Sequence, residues 1–159
     1  MVKTITKDKA AMMEEVRTLI SEGKTVSFTI KGNSMNPFMV NLRDQITLGP
    51  WKEGDLKKGT VALVRDTKGN YLIHRIIRID HKGVTLLGDG NIGTTETATY
   101  DNVIAVMYSI RRKGREWSAD GLPWRIYSLL WMALTPLRRY PLGLWRRTHS
   151  KDIFSRTLG

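Results

Sequence analysis

The sequence predicts a mainly β fold: a small barrel-like or sandwich-like domain with a helix before it and an amphipathic helical tail after it. Three observations lead there. Residues 25–112 break into short apolar runs of strand period, separated at even spacing by turn-forming residues. Residues 8–21 repeat apolar side chains at helical spacing instead. From residue 113 onward the composition turns to Trp and Arg.

In order along the chain, residues 1–24 hold one helix. Ala11, Met12, Val16, Leu19 and Ile20 form its apolar stripe, and Gly23 follows as a stop. Strands are expected at 26–30, 45–48, 60–65, 71–79, 84–87 and 103–111. Between them stand Lys-Gly-Asn, Gly-Pro, Lys-Lys-Gly, His-Lys-Gly and Gly-Asp-Gly-Asn, all turn chemistry. In residues 113–159, Asp120-Gly-Leu-Pro reads as a helix start with Pro123 in the first turn. Residues 126–137 then carry no charge. As a helix they reach about 18 Å, short of the roughly 30 Å hydrocarbon core. Trp and Tyr beside Arg suit an interfacial helix lying on a membrane, and packing on the β domain or a second subunit is the alternative.

Charge divides the chain the same way. The 159 residues carry a net charge of +11. Residues 1–110 hold only +3 of it and residues 111–159 hold +8, together with four of the five Trp. The excess predicts an anionic membrane surface as partner for residues 120–147, and no nucleic acid for the β domain. The absence of Cys excludes disulfides and thiolate catalysis. The N-terminal residues show no apolar run of signal-peptide type, and no stretch of the sequence reads as a span. The expected location is therefore the cytoplasm, peripheral on the inner face of the membrane.

Few residues offer chemistry. Ser34, in Lys31-Gly-Asn-Ser-Met-Asn-Pro-Phe38, is either a turn residue or a nucleophile, and a nucleophilic serine needs a base. His81 and His149 sit in polar surroundings. His74 instead stands inside the apolar strand Tyr71-Leu-Ile-His-Arg-Ile-Ile, where a polar ring needs a partner or a job. Asp89, between two glycines, is a turn former or the acid that orients an imidazole. No phosphate-binding loop or dinucleotide fingerprint is present, and three dispersed His argue against zinc. Neither a metal nor another cofactor is expected.

Five segments in order carry a more specific message. Gly32-Asn-Ser-Met-Asn-Pro37, Asp44 with the following strand, Gly54-Asp55 with Gly59-Thr-Val-Ala-Leu-Val64, His74-Arg75-Ile76-Ile77 and Gly88-Asp89-Gly-Asn91 together resemble the signal peptidase I superfamily. That superfamily includes the LexA-type self-cleaving repressors. The resemblance covers about residues 25–110 and implies a β-barrel-like peptidase fold and hydrolysis of a leader, signal-like or precursor peptide. It matches Ser34 to the nucleophile and His74 to the base, as in the endoplasmic-reticulum and archaeal type, where most bacterial members use Lys. It matches Asp89 to that type's acid. The Ser34 N–H would form the oxyanion hole, and Met35, Phe38 and Met39 are the candidate substrate-binding residues.

Three departures accompany the match. A second aspartate of the eukaryotic type is missing, leaving Glu96 or Asp101 as alternative acids. Gly32 replaces the Ser that completes the oxyanion hole in many bacterial members, so Asn33 is the candidate second donor. The N-terminal anchor of signal peptidases has no counterpart. Two other readings remain at this point: a self-cleaving repressor-like regulator, for which residues 1–24 contain no DNA-binding domain, and a non-catalytic membrane-binding module of the same fold.

Overall fold

The computed structural model describes residues 9–154. The expected start of the first helix at residue 8, the N-terminal residues read for a signal peptide, and the end of the tail beyond residue 154 lie outside the described residues. Helix α1 (Lys9–Ser21) buries Met13, Val16 and Ile20, three residues of one helical face, against β1 (Val26–Thr29) and β7 (Val103–Arg112). Gly23 ends it with φ at +81°, a backbone state that suits glycine, and the Lys24 N–H closes the turn on the Leu19 carbonyl at 3.0 Å. The Tyr71 hydroxyl donates to the Glu14 carboxylate and ties the helix to β4.

The chain between the helices is an antiparallel sheet of eight strands. Besides β1 and β7 these are β2 (Gln45–Gly49), β3 (Val61–Arg65), β4 (Tyr71–Asp80), β5 (Gly83–Leu87), β6 (Thr95–Ala98) and β8 (Arg115–Ser118). The order is β1-β2-β7-β3-β4-β5-β6, with β8 beside β7. Among the described residues β1 and β6 do not pair, so the sheet is an open path where the sequence suggested a barrel. Register shifts in the β2/β7, β3/β7 and β4/β5 pairs bend it, as bulges do. The bend gives two cores. Strand β3, buried on both faces, sends Val61 and Leu63 into one and Ala62 and Val64 into the other. That explains its unbroken apolar run. Each fully buried aliphatic side chain such as Ile46, Leu48 or Leu63 contributes about 1.5–3 kcal/mol.

Six expected strands form close to their expected bounds. The two others were not legible. Strand β6 reads Thr-Glu-Thr-Ala, without an apolar alternation, and is an edge strand held by β5. Strand β8 is exposed along its whole length and returns from β7 through Lys113 and Gly114, both with positive φ. This two-residue turn matches the twist of a hairpin. The sheet thus ends at Ser118, beyond the boundary expected at residue 112.

The loop from β1 to β2 carries Ser34, and Asp44 holds its base. The fully buried Asp44 carboxylate accepts from the Val40 N–H at 2.8 Å and from the guanidinium groups of Arg43 and Arg112 at 2.8–3.0 Å. Burial pushes this carboxyl up, but the bonds from Arg112, Arg43 and Val40 outweigh it and hold the pKa at about 2. The stabilising clamp is therefore lost only as pH falls toward that value. Arg112 also donates to the Phe38 carbonyl, which pins the far side of the loop.

The tail is two helices rather than one. Helix α2 (Leu122–Ala133) stops before Pro136, a one-turn 3-10 segment spans Thr135–Leu137, and α3 runs Arg139–Phe154. Pro136 lacks the N–H an unbroken helix would need. Among the described residues no helix is long and apolar enough to cross a membrane.

Candidate active site

Ser34 lies in the turn after β1, exposed, and its Oγ makes no hydrogen bond among the described residues. Its carbonyl accepts the Gly90 N–H at 2.7 Å. The Asn36–Pro37 peptide bond in the same turn is cis. His74 stands in β4 and is only 3% exposed. Its Nδ1 lies 2.9 Å from Glu96 Oε2 on β6. Strand β5, which separates β4 from β6, stops at Leu87, and near that end the two side chains meet. The other ring nitrogen, Nε2, faces the backbone of Gly88 and the Ser34 turn. A Cβ built on Gly88 would collide with the Ser34 carbonyl oxygen and lie 3.1 Å from Nε2. One built on Gly90 would lie 2.6 Å from the Asn33 carbonyl oxygen. Both glycines are required by close approach, because neither adopts positive φ.

Asp89 does not orient the imidazole, contrary to its expected role. Its carboxylate takes both hydrogen bonds of the Arg75 guanidinium, at 2.8 and 2.6 Å, and both side chains are fully buried. The reason is strand alternation. Arg75 follows His74 on β4, so it projects to the opposite face, and its acid lies on that face too. Glu96, the alternative acid, is the one bonded to His74. Asp101 sits exposed in the 3-10 turn Tyr100–Asn102 and makes no bond to His74.

The expected substrate-binding residues are occupied in packing. Met39 is fully buried in the core. Met35 is nearly so, and its sulfur accepts the Asp89 N–H at 3.4 Å. Phe38, in the β1–β2 loop, is half-buried against α2, its ring centroid 4.2 Å from that of Trp124 and 4.1 Å from that of Tyr127. Asn33, expected as an oxyanion donor, accepts the Asn36 side-chain amide at Oδ1, and its own side-chain nitrogen makes no hydrogen bond among the described residues. The Asn36 Oδ1 is buried without a hydrogen-bond partner among the described residues.

Several residues of the site carried little sequence signal. Arg75 was visible as a cation inside an apolar strand, which implies a buried acid. Ser128 accepts from Arg75 at 2.5 Å, and the Tyr127 hydroxyl lies 3.4 Å from the Asp89 carboxylate. Burial and the neighbouring Asp89 charge push the Tyr127 hydroxyl well above its ordinary range. Burial pulls the Arg75 guanidinium down, and the Asp89 charge more than restores it. A separate cleft of about 660 Å³ opens between α2 and the β3/β7 side, lined in part by Lys57, Lys58, Gly59, Arg125, Ser128 and Met132. It does not include Ser34 or His74. Among the described residues no cluster of three His, Asp or Glu is placed to hold a metal.

Two strand edges flank this arrangement. Among the described residues, strand β1 has β2 on one side and no strand on the other. The start of β4, residues 71–74, pairs β3 only among the described residues, because its pairing with β5 begins at Arg75. No protein-family model matches the chain, and no curated protein matches it.

Proposed function

We propose that this chain is a serine endopeptidase with Ser34 as nucleophile and His74 as general base, built on a signal peptidase- and LexA-like barrel-related fold. The observation that carries the reading is the buried His74 ring, with Nδ1 on Glu96 and Nε2 turned toward the Ser34 turn. An imidazole held at one nitrogen by a carboxylate has its tautomer fixed and its other nitrogen ready to accept a proton. His74 Nε2 takes the Ser34 Oγ proton as Oγ bonds to the scissile carbonyl carbon. The Ser34 N–H, with the Asn33 amide as second donor, stabilises the oxyanion. The proton then passes from His74 to the leaving amine. Water, deprotonated by the same ring, cleaves the acyl ester and frees Ser34. The unpaired edges of β1 and of residues 71–74 supply ladder hydrogen bonds to an extended leader, signal-like or precursor peptide.

The test is a pair of variants assayed on a library of unfolded precursor peptides. His74→Gln lowers kcat/KM by about 10³-fold, within the range for a lost general base. Glu96→Gln, which keeps shape and removes the orienting charge, lowers it by on the order of 10²-fold. Asp101→Asn leaves it unchanged. Equal activity of His74→Gln and the parent chain ends the reading.

The same reading includes a membrane partner. Helix α2 is apolar on both sides. Its inner side holds Trp124, Ser128 and Trp131, while Leu122, Ile126, Leu129 and Leu130 face outward, Leu129 at 65% exposure. Tyr140 and Leu144 of α3 are exposed as well, as are Arg125, Arg139 and Arg146. Apolar side chains rimmed by arginine suit the headgroup region of an anionic leaflet, and the cytoplasmic leaflet carries that charge. We therefore assign the enzyme to the inner membrane surface as a peripheral protein. Binding to vesicles containing phosphatidylserine falls as salt rises, and the double variant Leu129→Glu, Leu130→Glu reduces it at least about tenfold. Unchanged binding of that variant would exclude the outer face of α2 as the lipid contact.

A further inference from the structure

Arg138 is fully buried, yet no carboxylate lies within ion-pair distance of it among the described residues. Burial weakens its hold on its proton, opposed by the more distant charge of Asp89. A guanidinium nevertheless stays charged in proteins. Burying such a group without a partner is costly, and an apolar side chain of similar size fills such a site at no loss of stability. Part of its role is local. Nε and Nη2 donate to the Trp131 carbonyl at 3.4 and 3.3 Å, in the last turn of α2, where carbonyls lack helical partners. The guanidinium also lies over the Trp131 ring, 5.4 Å from its centroid. The remaining donor is not explained by capping: Nη1 points to the Gly88 carbonyl at 3.4 Å.

That bond belongs to a series. The carbonyls of three consecutive residues each accept one donor from the tail. Gly88 takes Arg138, Asp89 takes Trp131 Nε1 at 3.1 Å, and Gly90 takes Arg146 Nη2 at 3.0 Å. The other side of the same three residues meets the candidate catalytic groups. The Gly90 N–H donates to the Ser34 carbonyl, the Asp89 N–H to Met35, and Gly88 leaves no room for a Cβ against Ser34 and His74. The 88–90 backbone is a thin partition with tail donors behind it and the Ser34 turn and His74 ring in front.

We propose that the tail is the outer wall of the active site and that Arg138 is a positioning residue: with Trp131 and Arg146 it fixes the 88–90 backbone, and through it the Ser34 turn and the His74 ring. The kinetic part rests on the peptidase reading; the structural part does not.

The experiment uses the full chain with Arg138→Met, which removes the buried charge and keeps the volume, and Arg146→Gln at an exposed position. Imidazole NMR signals and amide hydrogen exchange are compared with the parent chain. Arg138→Met stays folded, with exchange in β3 unchanged, but amides of residues 88–91 exchange at least about tenfold faster and the His74 ring signals shift. His81, exposed in the β4–β5 turn, serves as reference and stays in place. Arg146→Gln reproduces a smaller change centred on Gly90. For a peptide cut in a Ser34-dependent way, Arg138→Met lowers kcat about 10²-fold with KM within about twofold, as misplacement of reacting groups does. Unaltered exchange and His74 signals in a folded Arg138→Met chain overturn the proposal. So does a rise in KM at constant kcat, which would make Arg138 a substrate contact, or global unfolding of both variants. If no peptide is cut in a Ser34-dependent way, the peptidase reading fails while the exchange and imidazole measurements still decide the role of Arg138.

Discussion

Ser34→Ala reduces cleavage of a cognate peptide by about 10⁴-fold or more, the scale on which loss of a nucleophile acts. It does so without disturbing the fold. The Ser34 side chain is exposed and makes no hydrogen bond among the described residues, so its removal changes stability by no more than about 0.5 kcal/mol. The turn is held by backbone bonds, chiefly the Gly90 N–H to the Ser34 carbonyl and the Met39 N–H to the Met35 carbonyl. Alanine leaves both in place. Mass spectrometry of peptides retained by the variant reads the loss and also identifies the substrate, and a melting curve reads the fold. Cleavage at the parent rate by a folded Ser34→Ala chain would remove Ser34 from the mechanism.

Asp89→Asn acts in the opposite way, on the fold first. The Arg75–Asp89 pair is fully buried, and Arg75 is further fixed by the Gly59 carbonyl and the Ser128 hydroxyl. Removing one member of a buried pair strands the other charge, which costs about 3–5 kcal/mol. For a chain of this size that lowers the melting temperature by on the order of 10 °C. The double variant Asp89→Asn, Arg75→Met regains much of the loss, because no stranded guanidinium remains. This pattern separates two roles. A group that orients His74 loses activity when changed, at unaltered stability; a group that anchors β4 to the tail loses stability, and the loss is reversed when its partner goes too. An Asp89→Asn chain with unchanged melting temperature and no cleavage would return Asp89 to the catalytic set.

The contrast shows where sequence reasoning reaches. Six strands and the first helix were legible because their apolar periodicity is strong and their stops are glycines at positions such as Gly23 that need positive φ. The juxtaposition of the Ser34 turn, His74 and the 88–91 segment was legible through the resemblance, since each segment carries its own short motif. Which acid reaches the imidazole was not. Asp89 has the motif and Glu96 has none, but alternation along β4 puts Arg75 and its acid on one face and His74 on the other. Strand β6, which carries Glu96, has no apolar pattern to betray it. The tail was legible as helical, basic and apolar. Its inner face was not, because Trp124, Tyr127 and Trp131 look the same whether they meet lipid or protein. Nor did Arg138-Arg139 give a sign that one arginine is enclosed while its neighbour is exposed.

The partition between the tail and the Ser34 turn also imposes an order in time. The Gly88–Arg138 and Gly90–Arg146 bonds span 50 and 56 residues. They close only after the intervening strands β6, β7 and β8 and helix α2 have folded, since loop closure over such lengths precedes its reward. A chain growing at about 5–20 residues per second reaches the end of β8 at Ser118 about 1–6 s before Arg146 is added. During that interval the Ser34 turn and His74 are present without their backing. On the proposed reading, a site backed by α3 stays unarmed until that helix docks on residues 88–90, the same step that sets the exposed apolar side chains of the tail in place.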